Sequence, residues 1–240
     1  FLTILLVFFV WQIYSASSSS KYDQMDVQKL GTIDGIDFKI YKKYTKASLA
    51  INSNDMRNAN SKFSILANYI FGGNQDNTQI GMTSPVIYNM TNQSSFSFIM
   101  PAKMENNLPM PNTDDIFFNT VNNQCVAVIT FGGFAKQEKC KKNHDKLKNK
   151  LSKIGLSFTD DFIVAVYQAP YQLINRKNEI WIELNRSQVK DLLDIWALFA
   201  KWTFFKLFLN LNVQVADKEI FLGTKIHIAL DTLIKCMKGV

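Results

Sequence analysis

At 240 residues, with 47% hydrophobic and 13% aromatic side chains, the chain can bury a sizeable core, which excludes wholesale disorder. A net charge of +7 permits attraction to anions. No interleaved arginine and aromatic pattern accompanies it, so no nucleic-acid partner is expected. The three cysteines Cys125, Cys140 and Cys236 and the two histidines His144 and His227 form no metal-type spacing.

Residues 1–14, FLTILLVFFVWQIY, are apolar except Thr3 and Gln12, and SASSSS follows with residues that suit signal peptidase. Segment 1–20 therefore reads as a secretory signal peptide, or as an uncleaved anchor. A secreted or endomembrane-lumen location is expected, with membrane anchoring as the alternative. The sequons Asn89-Met90-Thr91, Asn92-Gln93-Ser94 and Asn185-Arg186-Ser187 fit that route, although an asparagine-rich chain produces such triplets easily.

From Val27 to Ile51, alternation of Phe38, Ile40 and Tyr44 against lysines predicts a strand or strand pair with one solvated face. Met56, Ala59, Phe63, Leu66, Ala67 and Ile70 then recur at three-residue and four-residue steps, which gives a helix with one apolar face. Ser53 or Asn54 would cap its start, and Gly72-Gly73 stops it. QIGMTSPVIYNM and SSFSFIMP follow as two hairpin arms, with Phe96, Phe98 and Met100 on one face. Pro85 belongs at a strand start, edge or bulge. Pro109 and Pro111 mark a loop or extended crossover.

Beyond that crossover, DIFFNTV and QCVAVITFGGFA read as two strands, the latter ending at Gly132-Gly133. A lysine-rich helix from about Lys136 to Ile154 places Cys140, His144, Leu147, Leu151 and Ile154 on one stripe and ends at Gly155. FIVAVYQAP and NEIWIEL form a further strand pair, joined by YQLINRK. The order strand, helix, strand pair thus occurs twice, an architectural duplication.

Residues 27–186 carry, in order, a helix leading into YIFGGN, then IGMTSPV, FIMP, PMP, VITFGGFA, a lysine-rich helix and YQAPYQLINRKNEIWIEL. In this order and spacing the segment resembles the SOUL haem-binding protein family. The resemblance implies an α+β fold in which duplicated strand-helix-strand-strand units form a distorted antiparallel β-barrel flanked by two helices. It further implies non-catalytic binding of haem or a related tetrapyrrole by a monomer.

A porphyrin is a flat apolar disc with two carboxylates, so it needs an apolar wall and a basic rim. In the resembled family the ligand lies between the first helix and the loop before the last strand. The matching positions are Arg57, Phe63, Leu66, Ala67 and Ile70 on the helix, with Tyr171, Leu173, Arg176 and Lys177 on the loop. Arg57, Arg176 and Lys177 would pair with propionates, while the helix face also has ample reason to pack against the sheet. A histidine proposed as ligand in some members has no match in the first half. Met82, Met100 and His144 read more simply as interior residues.

A small-molecule effector-binding or hydrolase-like module on the same duplicated fold is the alternative, with Glu179 as general base beside Tyr167 or Tyr171. No nucleophile triad, metal cluster or phosphate-cradling loop supports a defined reaction, so an enzyme is not expected. Segment 187–240 is an unmatched hydrophobic extension. Its Trp, Phe and Leu residues are interrupted by Lys201 and Lys206, which favours contact with a membrane surface through 192–213, or docking on the domain, over a spanning helix.

Overall fold

The Asp34-Gly35 pair adopts positive φ values of 49° and 72°, the conformation of a tight hairpin turn whose twist matches its strands. It joins β2 (Val27–Ile33) to β3 (Ile36–Ala50), so the first alternating stretch is a strand pair. The computed structural model describes residues 23–51, 59–91, 93–105, 107–169 and 171–212. Arg57, segment 1–20, the proposed helix cap at Ser53 or Asn54, His227 and Cys236 lie outside the described residues.

The remaining elements are β1 (Asp23–Gln24), α1 (Ala59–Ile70), β4 (Thr83–Ser84), β5 (Val86–Met90), β6 (Ser95–Ile99), β7 (Ile116–Gly132), α2 (Gln137–Lys153), β8 (Phe162–Val166), β9 (Lys177–Glu183) and α3 (Arg186–Asn212). A short 3-10 turn at Ala102–Met104 opens the crossover between the halves. Pro85 falls between β4 and β5, where no ladder donor is needed.

Six antiparallel strands run in the order β3-β6-β5-β8-β9-β7, and β7 pairs back onto β3 to close the barrel. The duplication is visible in the pairing. In the first half β3 pairs with β6, β6 with β5, and α1 packs on β3 and β6. In the second, β7 pairs with β9, β9 with β8, and α2 packs on β7 and β9. The α+β fold expected from the resemblance is therefore present. One detail differs: residues 116–132 form a single strand, with Asn123 at a φ of 50° inside it, not two strands. The polar run Asn119 to Gln124 imitates a loop, but β3 supplies pairing partners for all of it except Asn123.

Buried apolar side chains gather on both sides of the sheet among the described residues. Phe96, Phe98 and Met100 pack with Leu66, Tyr69 and Ile70 beneath α1. Ile87, Ile99, Val126, Val128, Ala165 and Trp181 fill the barrel with Tyr41 and Tyr44. Each large apolar side chain so buried contributes about 1.5–3 kcal/mol relative to exposure. α1 stops where Gly72 takes a φ of 102° and the backbone folds back. A Cβ on Gly73 would stand 2.8 Å from the Asn68 carbonyl oxygen, so only glycine fits that return.

The chain divides into two units, Phe1–Asp191 and Leu192–Val240. In the described part of the second, Trp196, Leu198 and Phe199 are exposed. Among the described residues no helix is long and apolar enough to cross a membrane.

Candidate functional site

Alternation along β9 sends Glu179 and Trp181 into the barrel on one face, while Asn178, Ile180 and Ile182 take the other. Glu179 is fully buried, yet its carboxylate is surrounded by donors. Lys39 Nζ lies 2.9 Å and Lys177 Nζ 3.0 Å from Oε1, while Tyr167 Oη and Trp181 Nε1 donate to Oε2 at 2.8 and 2.7 Å. Tyr41 stacks on Trp181 with ring centroids 4.5 Å apart. Burial pushes the Glu179 carboxyl up, but Lys39, Lys177 and the Tyr167 hydroxyl outweigh it and hold it below the ordinary carboxylate range. A carboxylate so paired is a poor general base, because a proton would have to displace two ammonium partners.

The two walls expected from the family resemblance differ in character. On α1, Leu66 and Ile70 are buried in the core under the helix, whereas Phe63 and Ala67 are half-buried. Phe63 packs edge-on to Phe98 at 5.3 Å between centroids. On the 168–176 loop, Tyr171 and Leu173 are exposed.

Arg176 is buried, and its guanidinium donates to the carbonyls of Ala169 at 2.8 Å, Gln172 at 2.5 Å and Gln168 at 3.4 Å. It also lies 4.4 Å from the Phe134 ring centroid. This arginine fastens the loop, so it does not stand at a rim as the sequence reading expected. Lys177 is split between Glu179 and the face of Tyr167, whose ring centroid is 4.1 Å away.

A cleft of about 410 Å³ opens elsewhere, along α2. Its lining includes Met90 and Thr91 from the end of β5, Phe162 from β8, Asp160 and Asp161 from the preceding loop, and Gln137, Cys140, Lys141, His144, Asp145 and Lys148 from α2. The α2 stripe explains why: four-residue spacing puts Cys140 and His144 on the face that meets the sheet. His144 is 6% exposed and stacks on Phe162 with centroids 4.0 Å apart at 17°, and its Nε2 has no hydrogen-bond partner. Burial and Lys148 hold its pKa below the ordinary imidazole value, against Asp160 and Asp145, so the ring is neutral. Burial drives the Cys140 thiol up to about 12, and both Cys125 and Cys140 are free thiols. Among the described residues no three His, Cys, Asp or Glu side chains gather in a metal-binding group.

The family model for SOUL heme-binding protein matches residues 20–183. The chain belongs to the SOUL haem-binding protein family. Among curated relatives, mouse heme-binding protein 2 is 30% identical over 139 residues, which is 54% of this chain and 68% of that protein. Human heme-binding protein 2 is 27% identical over 154 residues, or 60% and 75%. Among solved structures, the EcmrR C-terminal domain aligns at a TM-score of 0.48 and 10% identity over 62% of this chain and 96% of that one.

For a SOUL protein the group to test is haem. Among the described residues, α1 and the 168–176 loop offer apolar contact but no histidine, cysteine or methionine for iron. The α2 cleft holds a neutral imidazole whose Nε2 is orphaned, together with the thioether of Met90 and the thiol of Cys140. The cleft does not fit an iron porphyrin, because Asp145, Asp160 and Asp161 stand in its lining, where two propionates would meet like charge, and His144 Nε2 is itself buried. The sequence reading names Glu179 as a candidate general base but not the Lys39, Lys177 and Trp181 donors around it, and it takes His144 as an interior residue without the cleft beside it. Period-two spacing of Glu179 and Trp181 in NEIWIEL and four-residue spacing of Cys140 and His144 were the available signals.

Proposed function

We propose that this SOUL-family chain binds haem or a related tetrapyrrole without turning it over. The observation that carries the reading is the family match across residues 20–183, joined by relatives named for haem binding. The contact surface proposed for the porphyrin consists of Phe63 and Ala67 with Tyr171 and Leu173, while Leu66 and Ile70 support it from the core. Lys177, 45% exposed, offers a cation at its edge. The tight pairing of Glu179 supports binding over general-base catalysis. The same proposal places a monomer in a secretory or lumenal compartment, with membrane-surface contact through segment 192–213.

Haemin titration of the full chain, followed by Soret absorbance, tests the binding. Saturable one-to-one binding is expected, and Tyr171→Asp or Leu173→Asp, both at exposed positions, should weaken it without altering the far-UV circular dichroism. Adsorption of haemin without saturation overturns the proposal.

A further inference from the structure

Three sequons offer side-chain amides for N-glycosylation, and their places in the fold differ. Asn89 sits in β5 between two partner strands, opposite Ser95 on β6 and Ile163 on β8. Strand alternation puts it on the face of Ile87, which is fully buried among the side chains that fill the barrel. A sugar there would have to share the barrel interior with those side chains. Asn92 lies outside the described residues.

Asn185 stands where β9 ends and α3 begins. Its flanks are anchored: Leu184 is buried and donates its amide to the Cys125 carbonyl at 2.9 Å, and Val189, fully buried, donates to the Asn185 carbonyl at 3.2 Å. Between these anchors Asn185, Arg186 and Ser187 are exposed. Asn185 Oδ1 accepts from the Ser187 backbone amide at 2.9 Å and from its hydroxyl at 2.8 Å, the arrangement of a helix N-cap. The cap therefore uses only the side-chain oxygen, and Nδ2 donates no hydrogen bond among the described residues. A bond made to Nδ2 leaves Oδ1 as an acceptor, so a sugar and the helix cap do not compete for the same atom.

We infer that Asn185 carries an N-linked oligosaccharide and that Asn89 does not. The inference rests on the proposed secretory route and names a modification that follows from it. The donor is a lipid-linked oligosaccharide diphosphate. The bond between sugar C1 and the diphosphate oxygen breaks, C1 bonds to Nδ2, Nδ2 gives up one proton, and the lipid diphosphate leaves. Attachment takes place on the extending chain, so the part of the fold is to admit the product. At Asn185 the sugar stands at an exposed corner, whereas at Asn89 it would hold β5 away from β6 and β8.

The test uses the full chain isolated from eukaryotic cells, treated with peptide N-glycosidase in heavy-oxygen water and mapped by mass spectrometry. Protease protection of the microsomal fraction is read in parallel. Heavy-oxygen label is expected at Asn185, with unlabelled asparagine at Asn89. Ser187→Ala should abolish the label and Ser187→Thr should keep it. Asn185→Asp, which retains a capping oxygen, should lose the glycosidase-sensitive mobility shift without altering the far-UV circular dichroism. A protected chain without label at Asn185, or with label at Asn89, overturns the inference while leaving the secretory route standing. A chain that is never protected overturns both.

Discussion

Replacing Glu179 by Gln removes one charge from the barrel interior and leaves the surrounding donors in place. Lys39 is 13% exposed, so its ammonium stays inside without a counter-charge, whereas Lys177 at 45% can turn to water and its share is small. Stranding one partner of a buried ion pair costs about 3–5 kcal/mol. The amide still accepts a hydrogen bond from Tyr167 or Trp181, which places the expected loss near the lower bound, about 3 kcal/mol. For a domain of this size that is a fall in Tm of roughly 6–12 °C.

The assay is urea unfolding of the full chain, followed by far-UV circular dichroism. Adding Lys39→Met to Glu179→Gln should recover stability, because the uncompensated ammonium leaves with it. The pH dependence carries a sign. The native carboxyl titrates below its unfolded value, so its stabilisation is complete above the ordinary carboxylate range and is lost as pH falls through the native value. The gap between parent and variant should therefore narrow on acidification below roughly pH 4. A loss under about 1 kcal/mol, the value of an exposed pair, would refute this account of the cage.

Leu66→Ala should cost about 2–5 kcal/mol in the same melts, so binding lost on truncating this residue reports the core before it reports a ligand wall. Arg176→Lys should not rescue Arg176→Ala in limited proteolysis at residues 168–176, because a single ammonium cannot span the carbonyls that the planar guanidinium reaches. In the native protein Cys125 and Cys140 should resist thiol reagents at pH 8, both thiols being raised by burial, and react once urea is added; peptide mapping reads this directly. Gly73→Ala should lower Tm, since its new Cβ meets the Asn68 carbonyl oxygen of the preceding helix.

Periodicity revealed the elements because local burial decides them. The α2 stripe of Cys140, His144, Leu147 and Leu151 is buried as spaced, and Gly155, at a φ of 76°, ends that helix. The Asp34-Gly35 turn, which settles that residues 27–51 are a strand pair, was not read in the sequence, although its two positive φ values leave few residues to choose from. The middle of β7 was not legible for the opposite reason. Its asparagines pair with a strand far away in sequence, and a local pattern cannot see that partner.

Site residues divide along the same line. Tyr171 and Leu173 are exposed loop residues, as a contact surface requires, but Arg176 looked like a free cation until the loop carbonyls around it were placed. Glu179 reads in sequence as a charged residue in an apolar strand. Its meaning comes from Lys39, which the topology alone brings beside it.

The closure of the barrel has a further consequence for the life of the nascent chain. β3 meets β7 from Asp37 opposite Val128 to Leu49 opposite Ile116, and β7 emerges only after the whole first half has been made. Until then β3 presents a long row of unsatisfied amides and carbonyls, the kind of edge that recruits another strand. A chain cut within the crossover at residues 105–112 would keep that edge permanently. Its natural substitute for β7 is the β3 of a second truncated copy, so such a fragment should pair edge to edge, and the full-length protein owes its closed ring to the arrival of its own second half.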